Sequence, residues 1–189
     1  GKSAVILDGE DDFVNMLRHM LARMGMTSDV VRHEEYADGV LDGYDLVIVG
    51  PGPGDPRDDA DPKMGQLRAA VAWLLANEKP FVAVCLGHQA LCHQLGIPLA
   101  YKDIVFQGTQ ATVLLDGRPQ RVGFYNTFVG RVGDDVALPE GVRVDADAET
   151  GDVNALTGPH FRGVQFHAES ILTERGFDIV HDLVSGVLL

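Results

Sequence analysis

Short apolar segments that alternate with helical segments constrain the fold of this chain more than any other feature. The first apolar run, residues 3–7, is followed by large apolar side chains at helical spacing up to Gly25. Three more strand-like runs and a second helical segment follow before the middle of the chain, at 28–32, 45–49, Phe81–Val84 and 66–77. Strands that alternate with helices predict a doubly wound, mostly parallel α/β sheet with flanking helices.

The second half of the chain has a different pattern. Between residues 98 and 166, short β runs are separated by turns rich in Gly, Pro and Asp, and these runs lie at 112–115, 121–124, 142–145 and 163–166. This half is predicted to add an antiparallel or mixed β portion to the first sheet. A closing helix is predicted from about Thr173, a residue type suited to an N-cap. The length of 189 residues is that of a single domain, 1–189.

Net charge restricts the partners that this chain can bind. The 28 acidic side chains exceed the 15 basic ones, so the net charge is −13 with neutral histidines. Such a surface repels nucleic-acid phosphates and anionic lipids, and no apolar stretch approaches the roughly 20 residues of a membrane span. We therefore expect no nucleic acid and no membrane among its partners.

The two cysteines and the first residue bear on the cellular setting. Cys85 and Cys92 lie on one strand-to-helix segment, where a disulfide is awkward, and the sequence contains no set of metal ligands. A reducing, cytoplasmic setting is therefore expected, with no bound metal. Because the chain starts at Gly1 and not at Met, we expect a processed chain or a domain of a longer polypeptide.

Cys85 lies directly between the apolar run Phe81–Val84 and a helical segment. Small residues stand two positions before it, at Ala83, and two after it, at Gly87. This arrangement is typical of a nucleophile elbow, in which small neighbours permit a strained turn and the helix N-terminus favours a thiolate. A buried structural cysteine fits the same stretch equally well. Cys92 is predicted to pack in the core.

His167 is the histidine best placed to act as the base that a reactive thiolate requires. It follows an apolar run, where open α/β sheets collect functional groups, and Glu169 stands two residues later. The carboxylate would then orient the imidazole ring. Taken alone, this local sequence favours a simpler interpretation, in which His167 caps a strand and Glu169 is solvated.

A loop of alternating Gly and Pro follows the apolar run 45–49. Its residues 50–56, G-P-G-P-G-D-P, leave little side chain, so backbone N–H groups can approach a ligand closely. The loop lacks the G-K-[ST] ending and the G-x-G-x-x-G spacing of nucleotide sites. An oxyanion hole beside Cys85 is the predicted use, and a stiff turn is the alternative.

These three motifs occur together and in a fixed order. G-P-G-P-G-D-P at 50–56, V-C-L-G-H-Q at 84–89 and Q-F-H-A-E-S at 165–170 resemble the class I (triad) glutamine amidotransferases over nearly the whole chain. The resemblance implies the α/β fold of that family and hydrolysis of glutamine without a cofactor. It implies roles for Cys85 as nucleophile, His167 as base and acid, Glu169 as orienting carboxylate, Gly52 and Leu86 as oxyanion-hole N–H donors, and Gln89, Thr127 and Phe128 as glutamine-binding residues.

Within that family the loop motif resembles the branch that serves chorismate-using synthases. Ala83, Ala168 and the segments 106–110 and 123–128 depart from ordinary anthranilate synthase components. The two segments and the H-A-E-S motif at 167–170 are more similar to the C-terminal amidotransferase domain of 2-amino-2-deoxyisochorismate synthases, which open phenazine-type pathways.

The resemblance implies a partner as well as an activity. A synthase domain or subunit that uses chorismate and Mg²⁺ would dock over the site and receive ammonia before it is protonated. The alternatives are the amidotransferase component of anthranilate or aminodeoxychorismate synthase, a stand-alone γ-glutamyl hydrolase or cysteine peptidase, and a catalytically silent docking module.

Overall fold

The computed structural model describes residues 1–189, in which a seven-stranded sheet lies between two helical layers. The strands are β1 (Ser3–Asp8), β2 (Thr27–Arg32), β3 (Leu46–Val49), β4 (Phe81–Val84), β5 (Leu99–Tyr101), β6 (Thr109–Leu115), β7 (Arg118–Phe124), β8 (Phe128–Gly130), β9 (Arg143–Ala146), β10 (Val153–Thr157) and β11 (Phe161–Val164). The helices are α1 (Val14–Arg23), α2 (Pro62–Ala76), α3 (Leu86–Gln94) and α4 (Gly176–Leu188). None of these helices has the length and apolar character needed to cross a membrane.

The main sheet has the strand order β2-β1-β3-β4-β11-β10-β9. Neighbours from β2 through β11 run parallel, whereas β10 is antiparallel to both β11 and β9. The predicted α/β class with a mostly parallel sheet is confirmed. The strands of the second half extend this sheet at one edge, and two small antiparallel pairs, β5-β8 and β6-β7, stand beside it.

Alternation along the central strands divides the core into two layers. In β1, Ala4 and Ile6 face the layer formed with α1 and α4, while Val5 and Leu7 face the layer formed with α2 and α3. All four residues of β3 are at most 2% exposed. Because both faces of this strand are covered, each of its side chains contributes about 1.5–3 kcal/mol of burial free energy.

Two helices begin at residues other than the predicted ones. The helix predicted at 66–77 begins at Pro62, since the Asp61 carboxylate accepts the backbone N–H of Lys63 at 2.9 Å and proline suits the first helical position. The closing helix begins at Gly176, after Arg175 in the left-handed conformation. Thr173 does not cap it, and its hydroxyl makes other contacts near His167.

His88 is a buried histidine of α3, and it makes stability sensitive to acid. The side chain is 0% exposed, its Nδ1 has no hydrogen-bond partner, and burial lowers the pKa of His88 to about 3. The ring is therefore neutral in the folded chain but protonates near pH 6.5 when unfolded. Between pH 6.5 and pH 3 only the unfolded chain binds a proton at His88, so the contribution of His88 to the free energy of unfolding is full above pH 6.5 and falls as the pH falls from there towards 3.

We expect the free energy of unfolding to fall by about 2 kcal/mol through His88 alone between pH 6.5 and pH 5. Urea denaturation of wild type and of His88→Leu at both values measures this, because the variant removes the titrating ring and keeps an apolar side chain in the core. An equal decline in both proteins would contradict the prediction.

Candidate active site

Cys85 occupies a strained turn between β4 and α3. Its backbone angles are φ 52° and ψ −104°, outside the regions that residues with side chains usually adopt. A Cβ atom on Gly87 would lie 2.2 Å from the carbonyl oxygen of Val49, so only glycine allows the helix to start this close to β3. The turn has the predicted elbow form, with Cys85 held at the N-terminus of α3.

His167 and Glu169 form a buried pair beside this turn. The parallel register of β11 with β4 places Val164 opposite Val84, and the chain beyond β11 then brings His167 to Cys85. The His167 Nδ1 donates to the Glu169 Oε1 at 2.5 Å, and both side chains are at most 2% exposed. The local interpretation of a strand cap with a solvated carboxylate therefore does not describe these residues.

The surroundings of His167 favour its protonated form. Burial opposes a positive charge on the ring, but hydrogen bonds to Cys85 and Glu169 and the charges of both groups outweigh burial. Together they raise the pKa of His167 to about 11. The ring is thus an imidazolium at neutral pH, and it can carry a proton to a leaving group beside the sulfur.

Residues distant in the sequence fix the position of this ring. The rings of Phe13 and Tyr125 pack against it, with centroid distances of 4.8 Å and 5.2 Å. The His167 N–H donates to the Gly123 carbonyl at 2.9 Å, and the Thr173 hydroxyl donates to the His167 carbonyl at 2.6 Å. The sequence assigned Phe13, Tyr125 and Gly123 no role at His167, since no local pattern marks their contact with a histidine elsewhere in the chain.

The Gly-Pro loop packs closely against the β1–α1 loop and leaves a backbone donor free. A Cβ atom at Gly52 would lie 1.7 Å from the carbonyl oxygen of Gly9, so this position requires glycine. The Gly52 N–H has no hydrogen-bond partner in the chain, and the Leu86 N–H, at the first position of α3, has no partner within that helix. Two unpaired donors near a nucleophile are the components of an oxyanion hole.

One cavity of about 320 Å³ collects five of the eight predicted site residues, namely Gly52, Cys85, Gln89, Thr127 and Phe128. Asn126 also lines it, although the sequence assigned this residue no role. His167 and Glu169 are not part of the lining, and Leu86 is buried as the first residue of α3. No three His, Cys, Asp or Glu side chains lie together in a way that could hold a metal ion.

Comparison with known proteins gives this geometry a family context. A family model described as glutamine amidotransferase class-I matches residues 5–186. The phenazine-specific anthranilate synthase of Pseudomonas fluorescens is 45% identical over 193 aligned residues, which cover 100% of this chain and 30% of that protein. The pyocyanine-specific anthranilate synthase component 2 of Pseudomonas aeruginosa is 34% identical, with 90% of this chain and 87% of that protein covered.

A solved structure has the same fold at lower sequence identity. A glutamine amidotransferase from Thermotoga maritima superposes with a TM-score of 0.73 at 18% identity, covering 89% of this chain and 76% of that one. The chain spans about 30% of the length of two phenazine-specific relatives that it matches from end to end.

Proposed function

The chain belongs to the class I glutamine amidotransferase family, and we propose that it hydrolyses the side-chain amide of glutamine to glutamate and ammonia. The observation that carries this proposal is the meeting of a strained cysteine with a buried imidazolium–carboxylate pair beside a small cavity. A nucleophile, a proton carrier and two free N–H donors are the groups that acyl transfer from an amide requires.

In the first half of the proposed reaction, the Cys85 thiolate attacks the carboxamide carbon of glutamine. The new S–C bond pushes the carbonyl electrons onto oxygen, which the N–H groups of Gly52 and Leu86 stabilise. The His167 imidazolium donates its proton to the nitrogen, the C–N bond breaks, and ammonia leaves a γ-glutamyl thioester on Cys85.

In the second half, neutral His167 removes a proton from water, and the resulting hydroxide attacks the thioester. The tetrahedral intermediate collapses, the C–S bond breaks with its electrons remaining on sulfur, and glutamate is released. Glu169 holds the ring in the orientation that both steps need. Gln89, Thr127 and Phe128 bind the glutamine in this proposal, since all three line the cavity beside Cys85.

The acceptor of the ammonia is proposed to be a chorismate-using synthase, as a domain of the same polypeptide or as a separate subunit. The phenazine-specific designation of the Pseudomonas fluorescens relative and the segments 106–110 and 123–128 support 2-amino-2-deoxyisochorismate synthase, in which Mg²⁺ would belong to the synthase. Anthranilate synthase is the second candidate, because both reported relatives carry that name. The mass of the aminated product separates them, since anthranilate lacks the enolpyruvyl group of chorismate.

We expect a diazoketone analogue of glutamine to modify Cys85 and to stop glutamate release in parallel. Cys92 is expected to stay unmodified, because its thiol is 0% exposed and burial raises the pKa of Cys92. Mass spectrometry of the labelled chain locates the adduct, and Cys92→Ala, which should label like wild type, is the matched control. An adduct on Cys92 with Cys85 untouched, or glutamate release by Cys85→Ala, would refute the proposal.

A further inference from the structure

A chain of three buried amides connects the sulfur of Cys85 to the wall of the cavity. Gln165, 1% exposed, donates from its Nε2 to the Cys85 Sγ at 3.6 Å. Its Oε1 accepts from the Nε2 of Gln89 at 3.1 Å, and the same Gln89 nitrogen donates to the Phe128 carbonyl at 2.7 Å. Asn126 donates to that carbonyl as well, at 2.8 Å. The mechanism derived above gives Gln165 no task.

The Phe128 carbonyl sets the direction of every hydrogen bond in this chain. A backbone oxygen only accepts, so the group of Gln89 that faces it must be the NH₂ group. The atom of Gln165 that faces this NH₂ must then be its oxygen, which turns the Gln165 NH₂ towards the sulfur. The orientation of both side-chain amides therefore follows from the backbone.

This direction of donation has one consequence at the sulfur and one at the cavity. At the sulfur, an N–H donor stabilises the thiolate in preference to the thiol, since a thiolate is the stronger acceptor. At the cavity, the Gln89 oxygen has no hydrogen-bond partner in the protein, and Gln89 lines the cavity together with Thr127 and Phe128. The Phe128 carbonyl already accepts two hydrogen bonds, which fills both of its lone pairs.

We propose that Gln165 is a further catalytic residue, which stabilises the Cys85 thiolate and at the same time holds Gln89 with its carbonyl oxygen towards the substrate. The proposal rests on the glutaminase function proposed above. During acylation the Gln165 N–H stays beside the sulfur while the thiolate becomes a neutral thioester. During thioester breakdown it stabilises the thiolate that departs. In this orientation the Gln89 carbonyl oxygen accepts an N–H of the bound substrate. A substrate with a carboxylate oxygen in place of that N–H would be disfavoured.

Two alkylating reagents separate the two tasks in the 189-residue chain. Iodoacetamide reacts with any accessible thiolate and needs no recognition, so its rate as a function of pH reports on the sulfur alone. A diazoketone analogue of glutamine must first bind, so the concentration at half-maximal inactivation rate reports on the substrate contacts. Neither measurement requires the synthase partner.

Gln165→Met removes both hydrogen bonds and keeps the length of the side chain. We expect iodoacetamide alkylation of Cys85, compared at a pH on the rising part of the wild-type profile, to slow by about 10- to 100-fold, because a hydrogen bond to a charged group has been lost. The half-saturating diazoketone concentration should rise as well, since Gln89 is no longer fixed. Gln89→Leu should raise that concentration too, but it should change the iodoacetamide profile less than Gln165→Met does, because Gln165 can still donate to the sulfur.

Two further variants guard against a general structural effect. Gln165→Glu keeps an oxygen towards Gln89 but replaces the donor near the sulfur by a carboxylate, so at pH 8.5 alkylation should slow while half-saturation stays near the wild-type value. Gln110→Met removes an amide that bonds the Leu172 carbonyl and Arg121 on the surface, and it should change neither measurement.

The outcomes distinguish this inference from the proposed function. An unchanged iodoacetamide profile in both folded Gln165 variants would overturn the thiolate role, even if wild type hydrolyses glutamine. Unchanged half-saturation in Gln165→Met would overturn the effect on Gln89. A wild-type chain whose Cys85 the diazoketone does not label at all would instead refute the proposed function, while a shifted iodoacetamide profile in Gln165→Met would still support the contact with sulfur.

Discussion

Replacing His167 by alanine should reduce the rate of glutamine hydrolysis by about 10⁴-fold or more. The reduction in rate for Glu169→Gln should be smaller by a factor of about 10 to 100. The imidazolium is the only proton carrier that the proposed mechanism uses at Cys85. The amide introduced by Glu169→Gln would retain an oxygen that can accept from the His167 Nδ1, so the ring keeps a partner but loses the charge that raises its pKa. Single variants are needed, because losses at groups that act together do not add.

Steady-state glutamate release measures both losses, and two exposed residues provide controls. His181→Ala and Glu174→Gln make the same chemical changes on the surface, where the His181 and Glu174 side chains are 55% and 64% exposed, and they should leave the rate near that of wild type. Equal losses for the two active-site variants, or a larger loss for Glu169→Gln, would contradict the assigned roles.

The second large effect on glutamine hydrolysis is expected when the synthase partner docks. The cavity is flanked by residues 50–61 and 124–128, which meet where the Arg57 guanidinium lies 4.7 Å from the centre of the Phe128 ring. The Arg57 side chain is 45% exposed, so the contact is open to solvent and to a docking surface. Displacements of about 1 Å at such a site change rates by about 100-fold.

The isolated chain should therefore be a poor glutaminase, and its kcat/KM for glutamine should rise about 100-fold when the cognate synthase and its chorismate-type ligand are added. A ligand that favours the closed state shifts the population towards it. Glutamate release with and without partner and ligand measures this. Full activity of the isolated chain, unchanged by the partner, would instead favour a stand-alone hydrolase.

Arg57→Ala tests whether the contact between the two flanking segments contributes to this coupling. We expect the variant to lose more activity without the synthase than with it, because the docked partner would hold both segments. Arg143→Ala removes an exposed ion pair with Asp116 on another part of the surface and serves as the matched control. An equal loss in the presence and absence of the partner would rule out a role for Arg57 in coupling.

The sequence predicted where Cys85, His167 and the Gly-Pro loop lie because each of them follows a buried strand. Cys85 and the loop follow directly, and two residues separate His167 from β11. Cys85 and Gly52 are marked by small or rigid neighbours, whose effect on the backbone is local. The contacts of Phe13 and Tyr125 with His167 arise between distant segments, and no local pattern encodes them. Thr173 shows the same limit, since a hydroxyl suited to a helix N-cap instead donates to the His167 carbonyl.

Helix and strand bounds were likewise predictable only where the local sequence determines them. β4 agrees with its prediction because a fully buried strand between two turns has clear ends in the sequence. β5 and β8, with three residues each, are too short to show any periodicity and were not predicted. The start of α2 is marked by the Asp61 cap and by Pro62, which lie before the apolar residues from which the helix was predicted.

The pairing of β11 with β4 joins two residues far apart in the chain, Val84 and Val164, and it is this pairing that brings His167 to Cys85. A contact at such separation costs loop-closure entropy, which slows folding. Because synthesis proceeds from the N-terminus, Cys85 leaves the ribosome long before His167, its proposed base, has been made. The nascent chain should bear an unpaired thiol and release no ammonia until its last sheet strand has docked, so hydrolysis begins only in a chain that has completed its fold.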